Sequence, residues 1–220
     1  MIAYFRRCVA ALLIVSLMLP FTAHAALVAT DAALDHQRVG QFLERADVQR
    51  ELRARGVDPM QARERAAALT DAEVRRLFLA AYETLARSGD WLDTAGGCLA
   101  RIIVLDQFPR NMFRGTPRAF ASDSLALAAA RHAIASGYDR DWLRVEKIFA
   151  YLPFEHSESL ADQERACELM RPLGDEQYDY ALRHKAIIER FGRFPHRNAV
   201  LGRESTPEEV EFLKQPGSGF

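Results

Sequence analysis

The sequence predicts an all-α protein. Alanine, leucine, arginine and glutamate dominate the composition, whereas runs of valine, isoleucine and threonine are scarce, and this usage favours helices over strands. No segment sustains the apolar–polar alternation that is typical of a half-buried strand. Capping residues, glycines and prolines divide the chain into segments of helical length. We expect about eight or nine helices that pack as antiparallel neighbours joined by short loops.

The predicted helices begin at residues that favour helix N-termini. Thr30 caps the first helix, and Asp58 followed by Pro59 opens the second. Thr70 and Glu73 have the spacing of a capping box, which opens the third. The approximate helix ranges are 31–55, 58–69, 70–87, 94–108, 120–136, 141–152, 159–170, 175–190 and a last helix from 206.

Glycines and prolines supply the predicted stops. Gly137 and Gly192 follow apolar helical segments and are expected to end them. Pro109 is expected to stop the fourth helix, and Pro153 to turn the chain after the sixth, because proline lacks the backbone N–H of a helix interior.

Size and charge bound the class of protein. The chain has 220 residues and a formal net charge of −1, which fits one domain or one domain with an appendage. Near-zero charge argues against a generally basic nucleic-acid binder, so no nucleic-acid partner is expected.

The first 25 residues have the pattern of a secretory signal peptide. Arg6 and Arg7 precede an apolar run, Cys8–Leu19, and Ala23-His24-Ala25 supplies a small-x-small cleavage site. Cleavage before Ala26 predicts an exported or periplasmic protein with no stable membrane anchor, and an uncleaved anchor or a buried core helix are the alternatives. Loss of the two arginines changes the net charge from −1 to −3.

Two cysteines, Cys98 and Cys167, remain in the mature chain. Both lie in apolar helical segments, which favours two buried free thiols over a disulfide. Their pairing cannot be decided from spacing alone.

Composition also predicts a boundary within the mature chain. Residues 26–72 are rich in alanine and arginine and contain no tryptophan, whereas aromatic residues become frequent afterwards. We therefore expect a helical appendage over 26–72 and an all-α domain over 73–220.

Three polar stretches interrupt the amphipathic pattern at helix ends, and they cover residues 105–115, 152–158 and 190–203. Loops on a rigid scaffold are common places for binding and chemistry. From Arg183 to Arg203 there are six basic residues and one acidic residue, and from Arg101 to Arg118 there are four arginines and one aspartate. These segments predict a local cationic pocket in a slightly acidic protein.

The pocket would suit a small anionic ligand, because guanidinium groups hold carboxylates and phosphates bidentately. The candidate anion-binding residues are Arg110, Arg114, Arg193 and Arg197, with His196 and Arg203 in the same loops. Asp106, Asn111 and Asn198 are candidates for positioning the loops or the ligand. The alternative for any single arginine is a structural ion pair with a nearby acid.

Glu155 and His156 are the candidate acid–base residues, with His184 as the second histidine candidate. Neighbouring carboxylates, Glu155 and Glu158, are expected to raise the pKa of His156 and hold its tautomer. A hydrogen-bonded core histidine is the structural alternative. Because the sequence lacks metal-ligand spacing, a nucleotide-binding loop and a serine nucleophile elbow, no metal or cofactor is predicted.

The chain from about Glu73 to Phe220 resembles an uncharacterised bacterial family, domain-of-unknown-function family 924. The resemblance rests on Leu105–Asn111, Leu152–Glu158, Arg190–Asn198, Leu201–Glu209 and Gln215–Phe220. It implies an all-α fold similar to tetratricopeptide-repeat arrays, and no established activity. The family alone would be expected in the cytoplasm.

The N-terminal part, up to about Ala72, resembles a different uncharacterised family of small exported bacterial proteins. The chain is therefore expected to be a fusion that joins near Thr70–Val74. Three functions stay open: a small-anion site that serves an enzyme, a tetratricopeptide-like scaffold that binds a protein partner without catalysis, and a fusion product without a function of its own.

Overall fold

The computed structural model describes residues 43–219, apart from 45, 55 and 69. The predicted signal peptide and most of the predicted first helix lie outside the described residues. Within them the regular structure is helical and contains no strand, which confirms the all-α prediction. The α-helices, numbered in chain order, are α1 (Ala46–Ala54), α2 (Pro59–Ala67), α3 (Asp71–Arg87), α4 (Ala95–Met112), α5 (Asp123–Ala135), α6 (Arg144–Glu155), α7 (Leu160–Met170), α8 (Asp175–Phe191) and α9 (Pro207–Leu213).

The chain divides into two compact units, Met1–Trp91 and Leu92–Phe220. In the first unit α1 contacts α2. At the start of α3 the predicted capping box is present: Oγ1 of Thr70 accepts from the backbone N–H of Glu73, whose carboxylate accepts from the N–H of Thr70. The sequence-based boundary after residue 72 lies inside α3 and remains a prediction about the junction of two families.

Helix α4 is the central helix of the second unit. It packs against α5 and α6, and α7 packs against α6 and α8. All residues from Cys98 to Asp106 are buried, which is typical of a helix surrounded on every side. Polar side chains that α4 carries must therefore find partners inside the protein.

The prediction that Pro109 stops this helix is wrong, because α4 continues to Met112. A proline at 109 leaves the carbonyl of Leu105 without its usual helical donor. The hydroxyl of Ser122 donates to that carbonyl at 2.6 Å. A side chain from outside α4 thus satisfies the acceptor that proline exposes.

Three further helix limits differ from the predictions. Pro153 lies inside α6, which ends at Glu155. The helix predicted over 120–136 begins only at Asp123, because a 3-10 turn, Pro117–Phe120, precedes it. The next helix begins at Arg144 because another 3-10 turn, Tyr138–Asp141, precedes it. The left-handed Gly192 closes α8 as predicted, with φ of 68°.

Cys98 and Cys167 are buried and free, in agreement with the predicted thiols. Among the helices that the structure describes, none is both long enough and apolar enough to cross a membrane. The tetratricopeptide-like arrangement of the helices stays a prediction.

Candidate functional site

A buried carboxylate and a histidine form the centre of the candidate site. Asp106 comes from the middle of the central helix α4, and His156 directly follows the last residue of α6. Nδ1 of His156 lies 2.7 Å from Oδ1 of Asp106. Asp106 is 0% exposed, whereas the side chain of His156 is 15% exposed. The histidine therefore connects a buried charge to the surface.

The charge state of this pair follows from its surroundings. Burial opposes ionisation of Asp106, but the charge of Arg110 and the bond to His156 outweigh it, so the pKa of Asp106 lies well below its usual range. Burial and the nearby Arg110 lower the pKa of His156 against the effect of Asp106. The imidazole is thus neutral near pH 7, with its proton on Nδ1, which donates to the ionised Asp106.

The predicted influence of Glu155 and Glu158 on His156 is wrong. Asp106 on α4 holds the tautomer, and the net shift of the His156 pKa is downward because burial dominates. Among the described residues, none is hydrogen-bonded to Nε2 of His156, and this nitrogen is left as a proton acceptor.

Arg110 lies one helical turn beyond Asp106 and is fully paired. Its Nη1 lies 3.1 Å from Oδ1 of Asp106. Its Nη1 and Nη2 donate to the two carboxylate oxygens of Asp123, at 2.8 and 2.9 Å. This bidentate geometry is the strong form of an arginine–carboxylate pair. Arg110 is a sequence candidate for anion binding, but the protein's own carboxylates occupy its donors.

Arg197 is paired much less completely. Its Nη1 donates to the backbone carbonyl of His156 at 3.0 Å and lies 3.5 Å from Oδ2 of Asp123. Its Cζ lies 4.8 Å from the ring centroid of Phe120 and 4.5 Å from that of Phe194. The residue is only 6% exposed, and burial together with Arg110 lowers the pKa of Arg197 to about 10. Asp106, Arg110, Asp123, His156 and Arg197 are called the His156 site below.

The backbone around His156 is held by side chains from two other segments. Gln163 of α7 donates from Nε2 to the carbonyls of Glu155 and Ser157, at 2.7 and 2.6 Å. Arg197 donates to the carbonyl between them. Three consecutive carbonyls therefore have side-chain donors, which fixes the position of the imidazole relative to the arginine.

Glu155 and His184 lie beside this site in a drier environment. Glu155 is 3% exposed, and its Oε2 lies 3.5 Å from Nδ1 of His184. Burial, with a smaller effect of the charge on Asp106, raises the pKa of Glu155 to about 8. Burial lowers the pKa of His184 to about 3, and its Nδ1 donates to the carbonyl of Tyr180. Both groups are therefore neutral near pH 7.

The other candidates occupy different surroundings. Arg193 donates from Nε and Nη2 to Glu209, at 2.7 and 2.8 Å, and Asn198 donates to the same carboxylate. Arg203 forms a bidentate pair with Glu158, at 2.7 and 3.0 Å. Glutamates of the chain therefore occupy Arg193 and Arg203 in this structure, and the anion-binding roles of these two residues stay predictions.

Three candidates lie at the margin of these networks. The side chain of Arg114 is exposed, and the structure does not bring it into the His156 site. Asn111 is half-buried near the end of α4. His196 is also half-buried, with its ring centroid 5.6 Å from that of Phe194.

Sequence reasoning missed several residues that complete the site. Asp123 pairs with both arginines of the site, and its position in the first turn of α5 was an ordinary helix-capping signal. Phe120 and Phe194 contact Arg197, and Gln163 holds the backbone around His156. Nothing in the local sequence distinguishes Gln163 from a surface glutamine.

The arrangement offers acid–base groups and a cation, Arg197, whose Nε has no hydrogen-bond partner. Over the described part of the chain, no group of three histidine, cysteine or carboxylate side chains is placed to hold a metal ion. A neutral imidazole fixed by a carboxylate can accept a proton at Nε2, and the neutral Glu155 carries a proton that it can donate.

The described residues form a helical fold in which a buried aspartate–histidine pair lies beside an incompletely paired arginine. A family model described as "Bacterial protein of unknown function (DUF924)" matches residues 55–217, and the chain belongs to this family. A second model, described as "Family of unknown function (DUF6627)", matches residues 4–91. The two matches confirm the predicted fusion of two uncharacterised families, and they overlap over residues 55–91.

Among solved structures, the chain is similar to "Protein of Unknown Function ATU0120" from Agrobacterium tumefaciens. The identity is 46%, the TM-score is 0.62, and the match covers 64% of this chain and 81% of that chain. No curated protein matches this chain.

Proposed function

We propose that the second unit is an enzyme domain whose His156 site binds a small anionic ligand at Arg197 and transfers a proton through Nε2 of His156. The observation that carries this proposal is a contact between two residues that each have a polar group left over. His156 has the acceptor Nε2, and Arg197 has its remaining N–H donors. Nη1 of Arg197 donates to the backbone carbonyl of His156 and so joins the two residues.

The roles divide between the buried and the exposed parts of the site. Asp106 orients the imidazole and would stabilise the imidazolium that forms when Nε2 accepts a proton. Arg110 holds Asp106 and Asp123 in place. Glu155 is the second proton-transfer group, because its pKa of about 8 keeps it protonated near neutral pH.

The test distinguishes the role of Nε2 of His156 from the contribution of its Nδ1 bond with Asp106 to stability. His156→Asn keeps an N–H donor close to the position of Nδ1 and removes Nε2. We expect this variant to unfold within about 1 kcal/mol of the wild type, because the bond to Asp106 is the one that contributes to stability. His156→Ala also removes that bond and is expected to cost about 1–3 kcal/mol.

The binding readout is the imidazole pKa of His156, followed by ¹⁵N NMR while sodium acetate or inorganic phosphate is added at constant ionic strength. An anion held by Arg197 should stabilise the imidazolium and raise this pKa. The exposed His132 is the control, and its pKa should not move. A pKa of His156 that neither anion changes would contradict the proposal.

A second function is favoured by a specific observation. Arg110, Arg193 and Arg203 are all paired with carboxylates of the chain, as expected of internal braces. A scaffold that binds a protein partner without chemistry is therefore the alternative. It would be supported if His156→Asn and Arg197→Lys changed only stability while neither anion bound.

Export is proposed as the consequence of the N-terminal sequence. The test is expression of the full chain in a bacterium, followed by fractionation and sequencing of the mature N-terminus. A periplasmic product that begins at Ala26 is expected, and an uncleaved cytoplasmic product would contradict it. The same join on one continuous long DNA read would show that the fusion is natural.

A further inference from the structure

We infer that the anion bound at Arg197 is a carboxylate group of the ligand, held through the Nε–Nη2 edge of the guanidinium. This inference rests on the proposed function and names its ligand class. The Nε atom of Arg197 is buried and makes no hydrogen bond. No described residue is hydrogen-bonded to Nη2 either, because the contacts of this side chain use Nη1. One complete edge of the guanidinium is therefore unused.

The chemistry of that edge specifies a planar acceptor with two oxygens. Nε–H and Nη2–H are parallel donors, and their spacing matches the two oxygens of a carboxylate. A buried donor without an acceptor destabilises the folded protein, more so when the group is charged, and Nε of Arg197 is such a donor. An ionised acceptor at this edge would remove that cost and would offset the charge of Arg197.

Two aromatic rings lie beside the guanidinium of Arg197. The ring centroids of Phe120 and Phe194 lie within 4.8 Å of Cζ, a distance at which cation–π attraction holds the guanidinium. Because the rings offer no hydrogen-bond acceptor, a ligand has to be held by the donors of the Nε–Nη2 edge, which two coplanar oxygens match. A flat carboxylate fits this requirement better than a tetrahedral phosphate.

Charge gives the second reason for a carboxylate. Arg197 lies near three acidic side chains, Asp106, Asp123 and Glu158. Arg110 and Arg203, the other arginines of these networks, are already in bidentate pairs. These three carboxylates are matched by the three guanidiniums of Arg110, Arg197 and Arg203, so a bound carboxylate adds one negative charge where a phosphate dianion adds two. A phosphate dianion would face the repulsion of those carboxylates without a second cation.

The experiment follows the side-chain ¹⁵Nε resonance of Arg197 in the full-length protein at pH 7. Acetate and inorganic phosphate are added separately, with sodium chloride as the ionic-strength control. We expect a saturable shift with acetate that is at least tenfold weaker, in apparent Kd, with phosphate. Arg197→Lys keeps the charge and removes the edge, so it should weaken acetate binding at least tenfold.

Arg193→Lys is the matched control, because Arg193 is paired with Glu209 outside the His156 site, and acetate binding should be unchanged. Tighter binding of phosphate than acetate, lost in Arg197→Lys, would overturn the carboxylate inference and leave the proposed function standing. Absence of any response of Arg197 to either anion would overturn both. Since the wild-type resonance is itself the reporter, the test holds even if Arg197→Lys fails to fold.

Discussion

Asp106 and Glu155 are both buried carboxyl groups of the second unit, yet their pKa values shift in opposite directions. Asp106 has Arg110, His156 and Gln107 as partners, and its charge is stabilised. The carboxyl of Glu155 lies 3.5 Å from Nδ1 of the neutral His184, and burial keeps it protonated. Burial alone therefore does not decide the ionisation of a carboxyl group, whereas the partners brought by the fold do. The His156 site thus contains an ionised orienting group, Asp106, and has a protonated acid, Glu155, beside it.

The largest loss of stability is expected when the charge of Asp106 is removed. Asp106→Asn keeps the shape of the side chain but removes the charge that faces Arg110 and His156. Removing one partner of a buried pair typically costs about 3–5 kcal/mol, and we expect the lower end because Asp123 still pairs with Arg110. Urea unfolding measures this loss. Asp179→Asn, which removes an exposed pair with Arg183, should cost under about 1 kcal/mol, and an equal loss in both variants would refute the buried role.

A smaller effect is expected from the residue that positions Glu155 and His156. Gln163→Ala removes the donor to the carbonyls on both sides of His156. The unsatisfied carbonyls should cost about 1–3 kcal/mol. Because the segment would be held less firmly in its buried position, the pKa of Glu155 should also fall toward 4.5. Calorimetry and ¹³C NMR of the glutamate carboxyls measure the two effects. The exposed Gln215→Ala should change neither quantity. An unchanged Glu155 pKa in Gln163→Ala would show that the hydrogen bonds from Gln163 do not set this pKa.

The last expected effect depends on pH and concerns the protonation of Glu155. In the folded state Glu155 keeps its proton up to about pH 8, whereas the unfolded chain loses it near 4.5. Between these values the folded state binds more protons, so this group makes stability fall as pH rises, by at most about 1.4 kcal/mol per pH unit. Glu155→Gln removes this contribution. Taking pH 5 as the reference, unfolding measured up to pH 9 should show a shallower decline in the variant, and parallel profiles would indicate an ionised Glu155.

The sequence predicted the parts of the fold that depend on local chemistry. The capping box at Thr70 and the helix end at Gly192 appear where they were predicted, because a cap is decided by residues three or four positions apart. The predicted stop at Pro109 is wrong because its outcome depends on Ser122, which only tertiary structure brings to Leu105.

The candidate site, too, was predicted from the sequence only in part. Asp106, Arg110, His156 and Arg197 were predicted from the composition of three polar stretches, and the fold brings them together. What the sequence could not show is which acid pairs with which arginine. Arg193 and Arg197 are four residues apart, yet one is occupied by Glu209 and the other has an unused edge. Such a difference is set by contacts distant in sequence.

The hydroxyl of Ser122 that reaches the carbonyl of Leu105 makes two distant positions dependent on each other during sequence change. With proline at 109, loss of the hydroxyl would leave a buried acceptor unsatisfied, whereas with alanine at 109 the helix would supply its own N–H. Serine at 122 is thus required only while proline is retained, and proline is tolerated only while serine is present. The two positions should therefore change together as the sequence diverges.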